Sequence, residues 1–174
     1  MSNGTTVKKR NGRGVEPLNL EKIHIMCEEA CEGLAGVSAS QVEIQSGIQF
    51  YDGITTAEIQ EILIRSASDL IDLDHPNYQF VAARLLLFSL RKQLFGRLRE
   101  CSTVLDHVNK CVEKGIYDEE ILDLYSEEEF SKLESFIDHG RDFLFTYAGL
   151  RQVVDKYLVQ DRSSGELYES PQFM

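Results

Sequence analysis

The sequence lacks the features that mark membrane and secreted proteins. No apolar run approaches the ~20 residues that span a bilayer. The first residues contain neither an apolar core nor the small-residue cleavage site of a secretory signal. The hydrophobic fraction of 43% and the charged fraction of 27% are typical of a globular protein with a buried core. We therefore expect a cytoplasmic protein with no membrane segment.

Cysteine is scarce, and its spacing is poor for both disulfides and metal sites. Of the four cysteines, only Cys27 and Cys31 are close in sequence, at the i,i+4 spacing of a helix. At that spacing the Cα separation is near the upper limit for a disulfide. No CxxC pair or nearby histidine completes a zinc site. We expect reduced thiols that act as small apolar groups, and no metal site.

Positive charge is scarce except at the amino terminus. The formal net charge is −11, yet residues 1–25 carry five basic and two acidic side chains. Residues 101–174, in contrast, carry seven basic and sixteen acidic side chains. An acidic body argues against nucleic-acid binding, which requires a basic face. The basic cluster either binds something small and anionic or keeps a tail in solution.

The amino-terminal residues predict a hairpin followed by two helices. The stretch "TTVKKRNGRGVEPLNL" alternates around Asn11-Gly12, a strong hairpin signal. Asn19 is the expected N-cap of a helix that runs to the break at residues 33–36. A second, short helix is expected in "VSASQVEIQSG", starting at Ser38 or Ser40.

A third strand and two further helices are expected before residue 97. "IQFYDGI" is β-branched and aromatic and ends in Asp-Gly, which favours a strand. Thr55 and Glu58 match a capping box that starts a helix running to about Leu73. The run "FVAARLLLFSLRKQLFG" predicts a long apolar helix that ends at Gly96.

The remaining residues are predicted to be mostly helical. One helix is expected from a Ser102 cap to a Gly115 stop, and another is opened by a Ser126/Glu129 capping box. Further helices are expected in "YDEEILDLYS" and "TYAGLRQVVDKYLV". "YLVQDRSSGELYES" predicts a terminal hairpin. Ser170-Pro171 predicts one more helix start, so we expect the front piece of a longer polypeptide, whether natural fragment, split gene product or cloned piece.

A phosphate-rich ligand requires cations, backbone N–H donors and a helix N-terminus. No GxxxxGK[ST] phosphate loop is present, so such a site would have to be assembled from separate segments. The alternatives are that the cations are solvated or paired with Glu16 and Glu21, or that they form a basic arm for nucleic acid. The residues that could supply a phosphate site are Lys9, Arg10, Lys22, Thr56, Arg91 and Lys92.

Two sets of segments resemble one known family. "VKKRNGRGVEPLNLEKI", "QFYDGITTAEI" and "YQFVAARLLLFSLRKQLFG" resemble the ATP-cone of the class Ia ribonucleotide reductase large (alpha) subunit. "YDEEILDLYSEEEF" and "FIDHGRDFLFTYAGLRQVVDKYLVQDRSSGELYESPQF" resemble the helical segment that follows the cone in that subunit. The resemblance implies an ATP-cone domain at residues 1–96 and the start of an all-α region at residues 97–174.

The resemblance implies an α+β, mostly helical fold: a four-helix bundle capped by a small three-stranded sheet, then an all-α segment with a terminal β-hairpin. It also implies an allosteric site where ATP permits activity and dATP stops it, with Mg²⁺ expected beside the nucleotide. The implied partners are the remainder of the large subunit and the small (beta) radical-generating subunit, in an oligomer. No cysteine lies in a segment matching the family's catalytic motifs, so this chain alone should be inactive.

Carried over by motif, the resemblance implies a set of nucleotide-binding residues. Gln60 is included although relatives often have histidine there, and Ile25 stands where an arginine can occur. Both departures would reduce the positive charge near the phosphates, so either the balance between ATP and dATP differs or dATP inhibition is weak. For His24 a structural or solvent role is favoured over ligand contact, and no histidine is assigned to catalysis. The expected phosphate-binding residues are Lys9, Arg10, Lys22, Thr56 and Lys92, and the expected base-binding residues are Glu16, Pro17, Leu18, Asn19, Leu20 and Glu21.

Two other interpretations remain open from the sequence. The first is a free-standing ATP-cone that acts as a regulatory or interaction module. The second is a helical protein-interaction domain that binds no nucleotide and whose basic hairpin is a solubilising arm.

Overall fold

The computed structural model describes residues 5–9, 14–47, 49–98 and 100–174. The chain forms two compact units: residues 1–89 with Phe143–Arg151, and Leu90–Asp142 with Gln152–Met174. The described residues are mostly helical, with eight α-helices and one three-stranded sheet, which confirms the coarse fold class. The expected domain boundary at residue 96 and the details of the four-helix bundle remain predictions.

A small mixed sheet lies in the first unit. Strand β1 (Thr6–Lys8) pairs antiparallel with β2 (Val15–Pro17) and parallel with β3 (Ile54–Thr55), giving the order β2-β1-β3. Backbone bonds from Lys9 N to Gly14 O (3.1 Å) and from Leu18 N to Thr5 O (2.8 Å) extend the β1–β2 ladder. The predicted Asn11-Gly12 turn lies outside the described residues.

The third strand is shorter and later than the sequence predicts. The expected strand "IQFYDGI" begins at a residue outside the described ranges, and of its described residues only the last, Ile54, belongs to β3. Strand β3 starts only after a turn at Gly53, whose φ is +80°. Asp52 explains the difference, because its carboxylate accepts hydrogen bonds from Thr6 N (2.8 Å) and Thr6 Oγ1 (2.7 Å). The segment that precedes β3 therefore contacts β1 through the Asp52 side chain, and the paired residues of the two strands begin only at Ile54.

Four helices are associated with the first unit: α1 (Leu20–Cys31), α2 (Ala39–Gly47), α3 (Thr56–Asp69) and α4 (Tyr78–Phe95), whose last residues belong to the second unit. Asn19 caps α1 by accepting from Lys22 N at 3.0 Å, as predicted. Thr55 and Glu58 form the predicted capping box of α3, which ends at Asp69 rather than near Leu73. The buried core of this unit includes Val7, Ile23, Cys27, Ala30, Val42, Ile54, Leu63, Ile64, Val81 and Leu85.

The later helices are α5 (Val104–Glu113), α6 (Glu120–Leu124), α7 (Glu127–Glu134), a 3-10 turn (Arg141–Leu144) and α8 (Tyr147–Lys156). The predicted Ser126/Glu129 capping box opens α7. Thr103, not Ser102, caps α5 by accepting from Asp106 N at 3.1 Å. The helix begins at Val104, the first residue of its buried face, and the N-cap is by definition the residue before the first helical one.

The last residues make limited regular structure. One antiparallel bridge joins Gln160 and Leu167, and the full terminal hairpin remains a prediction. After Ser170 the chain forms a single turn closed by Phe173 N to Ser170 O at 3.0 Å, where a helix start was expected. Within the described ranges, no helix is both long and apolar enough to cross a membrane.

Candidate nucleotide site

The inner face of the sheet carries an ion pair beside apolar side chains. Val7 and Ile54 are in register and buried, so their shared face is turned toward the core. Glu16 lies opposite Val7, and Lys9 follows Val7 by two residues, so alternation places both on that face. Lys9 Nζ lies 3.0 Å from Glu16 Oε2. The two residues predicted to meet phosphate and adenine are therefore in direct contact.

Lys8 lies on the opposite, outer face of β1. It is in register with Thr55, and its Nζ would lie 4.0 Å from a Cβ placed at Gly53. Hydrogen bonds from Thr6 lower the pKa of Asp52 and those from Thr55 lower the pKa of Glu58, with the Lys8 charge adding to both shifts. Because side chains alternate along a strand, Lys9 lies beside Glu16 on the inner face, whereas Lys8 lies near Asp52 and Glu58 on the outer face.

Two helices begin within three residues of strands of the sheet. Helix α1 starts three residues after β2, and α3 starts directly after β3, so the first turn of each lies at the sheet end of the unit. The first backbone N–H groups of a helix have no intrahelical acceptor and carry partial positive charge. Lys22 is the third residue of α1 and is exposed, whereas Thr56 is the first residue of α3 and is half-buried. Both predicted phosphate-binding residues therefore stand at helix starts.

A contact one turn farther along fixes which sides of α1 and α3 face each other. Gln60 is buried, and its Nε2 donates to Met26 Sδ at 3.8 Å. Lys22 and Met26 are spaced i,i+4 on α1, as are Thr56 and Gln60 on α3, so each pair shares one helix face. Lys22 and Thr56 therefore lie on facing sides, above the Met26–Gln60 contact. Sequence reasoning missed Met26, although its spacing from Lys22 marks the same face.

The connection from β2 to α1 contains the residues expected to frame the base. Leu18 is tied by its backbone to Thr5, and Leu20 is 65% exposed. The Asn19 side-chain oxygen is engaged in capping α1, so its amide nitrogen is the group left for a ligand. Pro17 and Glu21 are also exposed in this stretch.

Three of the predicted cations are not among the residues of the sheet, α1 and α3 described above. Arg10 lies outside the described residues. Lys92 is exposed in the last turn of α4, within the second unit, and its role as a phosphate ligand remains a prediction. Arg91 is buried, and its guanidinium donates to Asp142 Oδ2 (3.1 Å) and His139 O (2.6 Å). Arg91 therefore serves the core of the second unit, and its inclusion among the phosphate candidates was wrong.

His24 has a structural role. Its Nδ1 lies 2.7 Å from Glu43 on α2, and its Nε2 lies 3.3 Å from Glu28 on α1. The hydrogen bond with Glu43, helped by the Glu28 charge, raises the pKa of His24 above its ordinary value. The imidazole thus links α1 to α2, in agreement with the role favoured from the sequence.

Two of the thiols, those of Cys27 and Cys31, are poor nucleophiles. All four cysteines belong to the described residues and are free, as expected. Burial raises the pKa of Cys27 to about 12 and that of Cys31 to about 11. Both thiols therefore stay protonated at neutral pH, and a protonated thiol is a poor nucleophile. Among the described residues, no group of three His, Cys, Asp or Glu side chains could hold a metal ion.

Sequence comparison identifies the class of protein that carries this site. The ATP cone domain matches residues 5–93, which include the sheet and helices α1 to α3. The chain belongs to the ATP-cone family.

The chain is also similar over its whole length to one kind of enzyme subunit. It is 51% identical over 174 residues to ribonucleoside-diphosphate reductase 1 subunit alpha of Escherichia coli (strain K12), and 52% identical to that of Salmonella typhimurium. Each alignment covers 100% of this chain and 23% of the relative. The alpha subunit of Enterobacteria phage T4 is 46% identical over 140 residues, or 79% of this chain and 18% of the relative. This confirms the resemblance to the N-terminal region of reductase alpha subunits.

Proposed function

We propose that this chain is the allosteric nucleotide-binding region of a ribonucleoside-diphosphate reductase alpha subunit, and that ATP and dATP bind where the sheet meets α1 and α3. One observation carries the proposal. A half-exposed cation, Lys9, lies on the inner sheet face of an ATP-cone domain, and two helices begin within three residues of strands of that sheet.

The phosphates would be held by charge and by backbone donors. Lys9 and Lys22 supply ammonium groups, Thr56 supplies a hydroxyl at the start of α3, and backbone N–H groups of the first turns supply donors. Arg10 and Lys92 would add further cations, and Mg²⁺ would offset part of the phosphate charge. An anionic triphosphate on this set of groups would bind in the micromolar range, about −8 kcal/mol.

The base would be read at the β2–α1 connection. Asn19 can donate its amide N–H to a purine ring nitrogen, because the amide oxygen already caps α1. Glu16 can accept from the exocyclic amine of adenine, and the backbone from Pro17 to Glu21 frames the ring. Gln60 is a neutral side chain in the floor of the site, and Ile25 is exposed and apolar. Neither residue carries the positive charge of the histidine or arginine that can occur there, so either the balance between ATP and dATP would differ or dATP inhibition would be weak.

Regulation would follow from linkage between nucleotide and assembly. ATP and dATP would compete for one site but stabilise different arrangements of the subunits. The partners would be the remainder of the large subunit and the small, radical-generating beta subunit. The chain spans less than a quarter of the length of the reductase relatives named above, and the reduction of ribonucleotides is proposed for the remainder.

Calorimetry tests the proposal directly. We expect the chain to bind both ATP and dATP, and Lys9→Ala with Lys92→Ala to weaken ATP by at least tenfold, since each charged hydrogen bond contributes about 1.5–3 kcal/mol. Lys132→Ala, an exposed lysine on α7, is the matched control and should leave affinity unchanged. No heat with either nucleotide at about 100 µM, a hundredfold above a micromolar Kd, would refute the function.

A further inference from the structure

The ammonium group assigned to phosphate is already held by a carboxylate. Lys9 Nζ lies 3.0 Å from Glu16 Oε2, with the two side chains 46% and 36% exposed. A carboxylate and a phosphate are alternative anionic partners for one lysine. Nucleotide phosphate and Glu16 therefore compete for the same group.

The backbone at this pair is fixed, so exchange of partners requires only side-chain rotation. Lys9 N donates to Gly14 O at 3.1 Å, and Glu16 sits in register opposite Val7. Because the pair is half-exposed, water can solvate both groups as they separate. Solvent-exposed ion pairs are weak for that reason.

We propose that Glu16 determines ligand specificity as an intramolecular competitor for Lys9, and this inference rests on the proposed function. Its carboxylate holds the ammonium until a polyphosphate replaces it. A ligand of low charge gains too little from Lys9 to offset the lost ion pair, so the site selects polyphosphates.

The effect of removing the competitor follows from the strength of such pairs. An exposed ion pair shifts an equilibrium by about two- to fivefold. The Glu16→Gln variant should therefore bind polyphosphate about two- to fivefold more tightly, with further gain from the lost repulsion. If Glu16 only reads the base, the same substitution should not change the binding of a ligand that has no base.

The experiment uses inorganic tripolyphosphate as the base-free probe and ATP as the reference. Calorimetry on the 174-residue chain would compare wild type, Glu16→Gln, Lys9→Met and the double variant. Glu61→Gln removes the same charge from an exposed position on α3 and serves as the matched control. Circular dichroism would verify that each variant is folded.

We expect tighter tripolyphosphate binding in Glu16→Gln and no change in Glu61→Gln. Once Lys9 is methionine, Glu16→Gln should have a clearly smaller effect, because only the lost repulsion then contributes. Equal tripolyphosphate affinity of wild type and Glu16→Gln, or no tripolyphosphate binding by either, would overturn this inference. If ATP still binds in that case, the proposed function stands. The same tightening in the Lys9→Met background would also overturn it. A wild-type chain that binds neither ATP nor tripolyphosphate would remove the proposed function first.

Discussion

The two units use ion pairs of the same length in different ways. In the first, Lys9 and Glu16 are 3.0 Å apart and 46% and 36% exposed. In the second, Arg91 and Asp142 are 3.1 Å apart and 4% and 0% exposed. A half-exposed pair can exchange partners at small cost, whereas a buried pair cannot lose one member without leaving a charge in the interior. Distance alone thus says little about what a charge pair does.

The surroundings of Asp142 show how the second unit uses its buried charge. One carboxylate oxygen accepts from Arg91, and the other accepts from Gln172 Nε2 at 3.2 Å. The next residue, Phe173, stacks on His107 at 4.4 Å and meets His139 edge-on at 5.2 Å. The polar cluster therefore holds the final turn of the chain, and its role is structural.

The largest effect should come from breaking the buried pair. Arg91→Ala would leave Asp142 uncompensated, and we expect a loss of about 3–5 kcal/mol in the free energy of unfolding. Lys92→Ala is the adjacent control, since this lysine is exposed and most surface substitutions change stability by less than about 0.5 kcal/mol. Urea unfolding at pH 7 measures both. Similar losses for the two variants would contradict the comparison.

A smaller loss is expected at a second buried carboxylate. Glu169 is 6% exposed and accepts from Tyr117 Oη at 2.5 Å and from Val159 N at 3.0 Å. Tyr117→Phe removes one donor and should cost about 1–3 kcal/mol, the penalty for a buried polar group left unsatisfied. Tyr125→Phe, at an exposed tyrosine, should be near neutral in the same unfolding assay. An unchanged Tyr117→Phe would mean that water replaces the hydroxyl.

Breaking the exposed pair should barely affect stability. Lys9→Ala removes the ion pair with Glu16, and we expect a change of at most about 1 kcal/mol in the free energy of unfolding. The same variant should lose nucleotide affinity, which separates binding from folding. Thermal unfolding without nucleotide, followed by calorimetry with ATP, measures the two effects. A loss comparable to that of Arg91→Ala would show that the pair supports the fold.

The smallest expected effects are those of two histidines on the pH dependence of stability, and they should be opposite in sign in the two units. Glu43 and Glu28 raise the pKa of His24 above 6.5, so its stabilisation is complete below that pH and is lost as pH rises through the higher folded pKa. Burial lowers the pKa of His139, which faces Asp142, Arg91 and Glu134, so stability is lost as pH falls below 6.5.

Unfolding of His24→Gln and His139→Phe between about pH 5 and 8 tests these signs. Phenylalanine suits position 139 because both ring nitrogens are buried without a hydrogen-bond partner in the described structure. The first variant should lose stability mainly at low pH, and the second should gain stability there. Shifts in the same direction would contradict the comparison.

The sequence predicted those features of the fold whose partners are near in the chain. The Asn19 cap and the Thr55/Glu58 and Ser126/Glu129 boxes were correct because each is closed within three residues. The β3 error arose differently, since Asp52 binds Thr6 across 46 positions. Nothing local to "IQFYDGI" reports that contact.

The features of the candidate site also fall into those that the sequence predicted and those that depend on distant contacts. The sequence by itself determined that cations, a capping asparagine and helix starts would be present, because residue type and short spacing fix charge and capping. Only the tertiary structure decided that Lys9 faces inward against Glu16, that Lys8 faces outward, and that Arg91 is buried with Asp142. Burial and partner choice depend on surfaces brought together from distant segments, and desolvation then decides whether a charge binds a ligand or stabilises the fold.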